Sequence, residues 1–328
     1  MKKILFFLVF SLLSGIIYAQ QLPIYSQYLL STFMINPAIA GSDGYSSINI
    51  TSRKQWVGLE GSPQINSISF QSRFIKHGYS IKNRKSRRNV LRPQTDGKVG
   101  LGGYVYNYQS GLMARTGFQF AYVYNFWIHR KTQLSLGLGL TGYHFRIKQE
   151  EVDFELDGDP VLDGDLSRGI FVPDAAFGAY LLNERYNLGF YVDQILGGTV
   201  KIGSSAYGNF EMDRHFYLMG SYSFFAGREN EFRPSFLMKM SEQVRPQMDI
   251  GLTYLYDNFK SAFWVGLAYR TTSAMIVSMG VRADHLYIGY AFDFSFQKVQ
   301  KITYGTHEIA LAFRFGAPQK RYRWMNRY

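Results

Sequence analysis

Apolar and polar residues alternate along most of this chain, from Tyr45 to Phe315. One stretch shows the pattern with four leucines separated by small or polar residues, Leu134-Ser-Leu-Gly-Leu-Gly-Leu-Thr141. Successive side chains of a β-strand point to opposite faces, so this spacing predicts strands with one apolar face. Because the pattern recurs to the end of the chain, it predicts an all-β protein, a transmembrane antiparallel β-barrel in which every second residue faces lipid.

Turn residues divide the alternating region into about fourteen strands. The predicted strands are Tyr45–Arg53, Gln64–Phe74, Val99–Tyr108, Arg115–Ile128, Thr132–Ile147, Phe171–Leu182, Tyr186–Gln194, Arg214–Phe225, Glu231–Ser241, Pro246–Tyr256, Ser261–Thr271, Ala274–Ala283, His285–Phe296 and Thr306–Gly316. Charged residues such as Asp249, Asp293 and Glu308 suit a wet lumen, because a charge on the lipid face costs ~2–4 kcal/mol at mid-depth. Wall side chains alone cannot fill so wide a lumen, which is therefore either plugged or open.

The first residues follow a different pattern. Lys2 and Lys3 precede an apolar run from Ile4 to Ala19, which is shorter than the ~20 residues of a helical span. We therefore predict a cleaved signal peptide over residues 1–19. No later stretch reaches the length of a helical span. An exported membrane protein without such a helix is expected to form a closed barrel, because a closed barrel gives every backbone N–H and C=O group in lipid a hydrogen-bond partner.

Residues 20–44 resemble neither a signal peptide nor a strand. A disordered leader is one interpretation, but disordered segments have few aromatic residues, and this one contains Tyr25, Tyr28 and Phe33. We expect it to pack at the mouth or in the lumen of a barrel that spans residues 45–316, followed by a basic tail over 317–328. Three tyrosines on the lumen side are expected to help close the lumen: Tyr104, Tyr106 and Tyr108.

Because successive strands run in opposite directions, the connections between them lie alternately at the two ends of the predicted barrel. If Tyr45–Arg53 runs outward, three long segments lie outside the cell: Lys54–Pro63, Lys148–Ile170 and Ile195–Asp213. Short periplasmic turns then lie at His129–Lys131, Asn183–Arg185 and Asp257–Lys260, which is the usual asymmetry of outer membrane barrels. The same parity places the basic stretch Ile75–Lys98 in the periplasm and the acidic stretch Glu150–Asp165 outside.

Composition agrees with an exported membrane protein. Aromatic residues form 17% of the chain, which suits the aromatic girdles of a barrel. No cysteine is present, which excludes disulfides and thiolate metal sites. The net charge of +12 comes from local patches rather than from a uniformly basic surface. Nucleic-acid binding is the common interpretation of a basic chain, but an exported barrel rarely meets nucleic acid, so we expect no such partner.

Patterns for catalysis and metal binding are sparse. The six histidines lack ligand spacing, and the sequence has no nucleophile elbow, phosphate loop or dinucleotide fingerprint. Asp153, Asp157 and Asp159 resemble the first half of a calcium loop, but Gly164 stands where the bidentate glutamate belongs. We expect no enzyme activity and no cofactor, and these aspartates are the single metal candidate.

Better candidates exist for a protein-partner site. Arg53, Lys54 and Trp56 begin the first outer loop, and Arg and Trp are enriched at interface hot spots. Trp56 has an alternative role as an aromatic anchor at the membrane surface. Asn36 and Pro37 form a turn signal in the N-terminal segment and are further candidates.

The chain contains a series of short motifs: Ser26-Gln-Tyr28, Asn36-Pro-Ala-Ile-Ala-Gly41, Arg53-Lys-Gln-Trp-Val-Gly-Leu-Glu-Gly-Ser-Pro63, Val172-Pro-Asp-Ala-Ala-Phe-Gly178, Arg214-His-Phe-Tyr217, Arg233-Pro-Ser-Phe-Leu-Met-Lys239 and Gly305-Thr-His-Glu-Ile309. In this order they resemble the PorP/SprF family of outer membrane proteins in the type IX secretion system of Bacteroidetes. The basic stretch Ile75–Lys98 departs from the family, whose members are usually shorter there. The resemblance implies a non-enzymatic protein of the cell outer membrane that helps to carry or tether secreted cargo, notably gliding adhesins. Its partners would be that cargo, other secretion components including periplasmic or lipoprotein subunits, and outer membrane lipid.

Three classes of function fit an outer membrane barrel. The first is a secretion-system component that binds protein partners, and we favour it. The second is a channel or transporter for small solutes, which needs an open lumen. The third is a barrel enzyme of the lipase or protease kind, for which no nucleophile and base can be assembled from the sequence.

Overall fold

The computed structural model describes residues 25–27, 30–74, 99–129, 131–147, 170–201, 209–242, 244, 246–258, 261–271 and 273–316. Alternating segments form the wall of a barrel. The strands are β1 (Ser46–Lys54), β2 (Gln64–Phe74), β3 (Val99–Ser110), β4 (Met113–His129), β5 (Thr132–Ile147), β6 (Ile170–Asn183), β7 (Tyr186–Asp193), β8 (His215–Tyr222, continued by Phe224–Ala226), β9 (Asn230–Ser241), β10 (Gln247–Asp257), β11 (Ser261–Arg270), β12 (Ala274–Ala283), β13 (Leu286–Ser295) and β14 (Thr306–Phe315). A separate short hairpin joins Thr199–Lys201 to Asn209–Glu211 between β7 and β8.

The barrel is closed and antiparallel throughout. Each strand pairs with its chain neighbours, and β1 pairs with β14 from Ser46 opposite Phe315 to Lys54 opposite His307. Closure leaves no sheet edge with unpaired backbone groups, which is what lipid requires. The all-β fold predicted from the alternation, a barrel of about fourteen strands, is therefore confirmed.

The two faces of the wall differ as the alternation predicts. In β1, Ile48 and Ile50 are exposed, whereas Ser47, Asn49 and Thr51 are buried on the lumen side. The leucines of β5 follow the same rule, and Leu140 is 70% exposed on the outer face. This outer belt is apolar because the surrounding hydrocarbon offers no hydrogen-bond partners. Polar side chains can therefore satisfy one another only inside.

The two ends of the barrel carry different connections. The loop end, where β1 finishes, holds residues 55–63 and 296–305; β5 and β7 also end there, and β6 and β8 begin there. The turn end, where β1 begins and β14 finishes, holds short turns, including those at Glu184 and Asp284. Outer membrane barrels keep their long loops outside, so we expect the loop end to face the exterior. The stretches 75–98 and 150–165 and the tail 317–328 lie outside the described residues.

The N-terminal segment occupies the lumen. We call residues 25–27 and 30–45 the plug; it contains a short helix, α1 (Thr32–Ile35), and a 3-10 turn (Pro37–Ile39). Asn36 begins the turn because its side chain accepts a hydrogen bond from Ala38 N at 2.9 Å, and proline is favoured at the next position. Within the described residues, no helix is long and apolar enough to cross a membrane.

Candidate functional site

Glycines in the wall make room for the plug. A Cβ at Gly137 would lie 2.7 Å from both N and Cα of Ala38, and one at Gly102 would lie 2.5 Å from the ring of Phe33. Real Cβ atoms do not approach backbone so closely, so only glycine permits this contact. Phe33 and Ala38 are accordingly buried against β3 and β5. Gly137, one of the small residues between the leucines of β5, thus fits the plug rather than a water-filled lumen.

Asn36 and Pro37 are bound within the same chain. The Asn36 side chain donates to the carbonyl oxygens of Ala179 and Phe190, each at 3.2 Å, and so joins the plug to β6 and β7. Both Asn36 and Pro37 are buried in the lumen. The expectation that they present a surface to a separate protein is therefore corrected. Their contacts hold the plug in place.

At the loop end, a buried carboxylate binds the backbone of the plug. Glu308 accepts hydrogen bonds from Ser26 N at 2.7 Å and Gln27 N at 2.9 Å. The hydroxyl of Ser26 donates to Asp293 at 2.7 Å. Arg53 binds both carboxylates, with Nη1 3.1 Å from Glu308 and Nη2 2.8 Å from Asp293. We call these four groups, Ser26, Arg53, Asp293 and Glu308, the latch.

Further buried ion pairs extend the latch along the wall. Arg270 lies 3.1 Å from Asp293 and 3.0 Å from Asp249. Asp249 and Asp293 lie in the lumen, as the alternation predicts, but they are buried and paired with arginines instead of being hydrated. Breaking such a pair by removing one partner typically costs about 3–5 kcal/mol, because the other charge stays buried without compensation. The latch is therefore a strong constraint on the plug.

Arg53 is not part of an exposed loop. Its side chain is only 3% exposed, because it is the fourth residue of the inward series Ser47, Asn49, Thr51, Arg53 in β1. The expectation that Arg53 contacts a partner from outside is wrong for this reason. Lys54 is the next residue and points outward, exposed to solvent, and Trp56 is half-buried in the loop that follows.

Two loops form one ordered surface at the loop end. Val57 N donates to Gly305 O at 2.9 Å, and Tyr304 N donates to Val57 O at 2.8 Å. A Cβ at Gly58 would lie 3.0 Å from the Tyr304 ring, so glycine lets the loops touch. We call residues 55–63 and 302–305 the loop platform. Its exposed apolar side chains are Leu59, Ile302 and Tyr304, of which Tyr304 is 77% exposed.

Burial shifts the pKa of two titratable groups in the plug. Burial raises the pKa of the Tyr25 phenol above its ordinary value of 10.0. Burial also raises the pKa of the Asp43 carboxyl, although attraction to Arg314 and Arg73 opposes this shift. Both effects follow from the loss of water around a charged form. Tyr25 therefore remains neutral at physiological pH, as its apolar position among Met34 and Ile65 requires.

Potential metal ligands do not cluster among the described residues. None of their histidine, aspartate and glutamate side chains forms a group of three that could hold an ion. The calcium candidate Asp153, Asp157 and Asp159 lies outside the part of the chain that the structure describes. Tyr104 and Tyr106, predicted to help close the lumen, do pack with the plug: Tyr104 meets Phe33 edge-on at 5.9 Å, and Tyr106 joins Tyr25 in one apolar cluster.

The chain is similar to several solved structures of channels and porins. A mutant of the monoaromatic hydrocarbon channel TodX is similar with a TM-score of 0.50 and 10% identity, over 88% of this chain and 94% of that one. The hydrocarbon channel CymD gives a TM-score of 0.49 and 12% identity, over 87% and 91%. The KdgM porin gives 0.37 and 8%, over 82% and 99%. At such identities the likeness concerns the fold alone. A search of curated proteins found no match.

A closed fourteen-stranded barrel with an apolar belt and a plugged lumen defines a β-barrel protein of the outer membrane. The family model for the type IX secretion system membrane protein PorP/SprF matches residues 17–313. The chain belongs to this family, as the motifs indicated. The family is a non-enzymatic membrane component of the secretion system, so its members work together with other components of that system.

Proposed function

We propose that this barrel supports the secretion or surface attachment of cargo proteins such as gliding adhesins, and that its loop platform contacts them. The observation that carries the proposal is the plug: Glu308 and Asn36 fix it at two levels of the lumen, and wall glycines fit it closely. A barrel filled in this way is built to present a surface rather than to pass solutes. Membership of the secretion family supports the same conclusion.

The loop platform has the chemistry of a protein contact. Lys54, the last residue of β1, immediately precedes the platform, which contains Trp56 and the exposed apolar side chains of Leu59 and Tyr304. The loop end therefore combines a cation with apolar side chains. In interfaces of this kind, a few aromatic and basic side chains contribute most of the binding energy, and the contacts around them contribute little. Cross-loop backbone hydrogen bonds hold the surface in one conformation before binding, which lowers the entropy cost of association.

Deletion of the gene in the native organism tests the proposal. We expect adhesin-type cargo to be lost from the cell surface, while uptake of small nutrients and general permeability stay unchanged. Crosslinking in native membranes should recover secretion components with the barrel. Loss of uptake of a small solute with secretion intact would contradict the proposal.

A channel is the second candidate, and one observation favours it. Two small cavities lie beside the plug, of about 50 Å³ near the loop end and about 70 Å³ near the turn end. They touch consecutive lumen-facing positions, Tyr217 and Met219 on β8 and Lys239 and Leu237 on β9. A solute could pass from one cavity to the other only if the side chains of Ile35, Met219 and Leu237 moved apart, because they form an apolar cluster between the two cavities.

A further inference from the structure

The outer face of the barrel changes from apolar to polar near the loop end of β3–β6. On β5 the outward series begins with leucines of the apolar belt, such as Leu140, and continues through Gly142 to His144 and Arg146, which are both exposed. At the loop ends of β11, β12 and β13, the outward side chains are instead Tyr269, Met275 and Phe294. A polar surface therefore adjoins the belt on the β3–β6 side of the barrel.

An aromatic pair lies at the border between the apolar belt and this polar surface. The rings of Phe118 on β4 and Phe171 on β6 stack across β5, with centroids 6.0 Å apart and an angle of 10° between their planes. Gly142 permits this contact, because a Cβ there would lie 2.6 Å from Phe118 and 2.8 Å from Phe171. Phe171 nevertheless leaves 54% of its surface exposed. Together with the exposed Phe120 and Leu140, it offers acyl chains an apolar contact surface at the depth of an aromatic girdle.

Polar side chains on three neighbouring strands lie beside one another on the loop-end side of the aromatic pair. Asn107 on β3 donates to Thr116 Oγ1 on β4 at 3.1 Å, and Gln109 donates to Asn107 at 3.2 Å. Thr116 lies directly opposite His144 in the register of β4 and β5, and Arg146 is the next outward residue of β5. We call these five residues the polar patch. They combine amides and a hydroxyl, which suit sugar hydroxyl groups, with a guanidinium, which suits phosphate.

The charges of these strands favour an anionic ligand. Within β3–β6, all of whose residues the structure describes, the single acidic residue is Asp174. It is buried in the lumen, where its carboxylate accepts hydrogen bonds from Ala175 N at 2.6 Å and Leu196 N at 2.9 Å. The outer face of these four strands therefore presents Arg146 without an acidic side chain beside it on the sheet. Basic side chains at a membrane surface attract anionic headgroups.

We propose that the polar patch and the aromatic pair bind one phosphorylated glycolipid of the outer leaflet, with a phosphate group at Arg146 and acyl chains against Phe171. The position of the patch selects this class of ligand: it faces outward, immediately beyond the apolar belt, at the end that we expect to lie outside the cell. In an outer membrane, that layer holds the phosphorylated sugars of lipopolysaccharide. The site is independent of the cargo-attachment role.

Native mass spectrometry of the full-length protein, purified in detergent, tests the site with three lipids. They are bisphosphorylated lipid A, the same lipid A after removal of its phosphates, and phosphatidylglycerol. We expect a single high-affinity adduct with bisphosphorylated lipid A, bound at least about tenfold more tightly than either other lipid, because hydrogen bonds between charged groups are among the strongest in proteins. Equal affinity for lipid A with and without phosphate would overturn the proposal, and equal or tighter binding of phosphatidylglycerol would exclude a glycolipid as the ligand.

Substitutions separate the two halves of the site. Arg146→Gln should remove the preference for phosphate, whereas Lys298→Gln, the matched control, removes an exposed cation elsewhere at the loop end and should not. Phe171→Ala should weaken binding of both forms of lipid A about equally, and Phe232→Ala, which changes an exposed phenylalanine of β9, is its control. Retention of the full phosphate preference by Arg146→Gln, or unchanged affinity in Phe171→Ala, would contradict the assignment. If a variant does not fold, the comparison of the three lipids on the unaltered protein still decides.

Discussion

Arg53 and Glu308 face each other across the seam where the first and last strands close the barrel, with Nη1 3.1 Å from Oε2. The same carboxylate holds the backbone N–H groups of Ser26 and Gln27. One ion pair therefore joins barrel closure to retention of the plug. Since both side chains are buried, neither can exchange its partner for water.

Removal of the Glu308 charge should loosen the plug. Glu308→Gln keeps the size of the side chain but weakens two charged hydrogen bonds, and such bonds contribute about 1.5–3 kcal/mol each. We expect the amides of Ser26 and Gln27 to exchange hydrogen at least about tenfold faster, measured by mass spectrometry in detergent. The control is Glu242→Gln, which removes one member of the half-exposed pair with Arg214 and should have little effect. Unchanged exchange in Glu308→Gln would mean that the latch does not retain the plug.

The lumen of the intact protein should not conduct ions like an open porin. Gly137→Ala places a Cβ about 2.7 Å from the backbone of Ala38, so the plug must shift. We expect planar-bilayer recordings to show low conductance for the unaltered protein and more frequent openings for this variant. Gly103→Ala is the matched control, because its Cβ would meet Phe120 on the other face at 3.3 Å. Steady, large conductance from the unaltered protein would instead favour the channel function.

The sequence predicted the wall well because the wall obeys a local rule. Lipid outside and a plug inside impose a period of two, so each strand can be recognised from its own residues. The same alternation indicates that Arg53 faces the lumen, because Arg53 continues the polar, inward-facing series of Ser47, Asn49 and Thr51. Grouping Arg53 with Lys54 and Trp56 at the start of the first outer loop concealed it, since strand ends are the least certain part of such a prediction.

Contacts between distant segments could not be predicted in this way. The latch joins residues separated by 282 and 255 positions in the chain, and their meeting depends on strand register and on closure. No local pattern specifies that Glu308 will accept from Ser26. The apolar cluster of Tyr25, Tyr106 and Tyr143 has the same origin, because the plug, β3 and β5 each contribute one of its side chains.

Stability of the plugged state should fall at high pH because of Tyr25. Burial raises the folded-state pKa of this phenol above 10.0, its ordinary value. The stabilising contribution is therefore complete below pH 10 and declines as the pH rises toward the folded-state pKa, by about 1.4 kcal/mol per pH unit. Tyr25→Phe should reduce the loss of thermal stability between about pH 10 and 11, whereas Tyr304→Phe, on the exposed platform, should not. Identical pH profiles for Tyr25→Phe and the unaltered protein would contradict this role.

Substitutions near the loop platform and in the latch should have different effects in cell assays, although Arg53 and Lys54 are adjacent in sequence. Lys54→Ala combined with Trp56→Ala removes an aromatic ring from the platform and the cation that immediately precedes it, and anchors of this kind carry about 2 kcal/mol or more at an interface centre. Display of cargo on the cell surface, measured by antibody labelling of whole cells, should fall while the amount of folded barrel stays constant. Tyr186→Ala, an exposed aromatic at the turn end, is the control. Arg53→Ala should behave differently: it breaks the buried pairs with Asp293 and Glu308, so it should increase plug exchange and lower barrel stability. Normal display in the double variant would exclude the platform as the cargo contact.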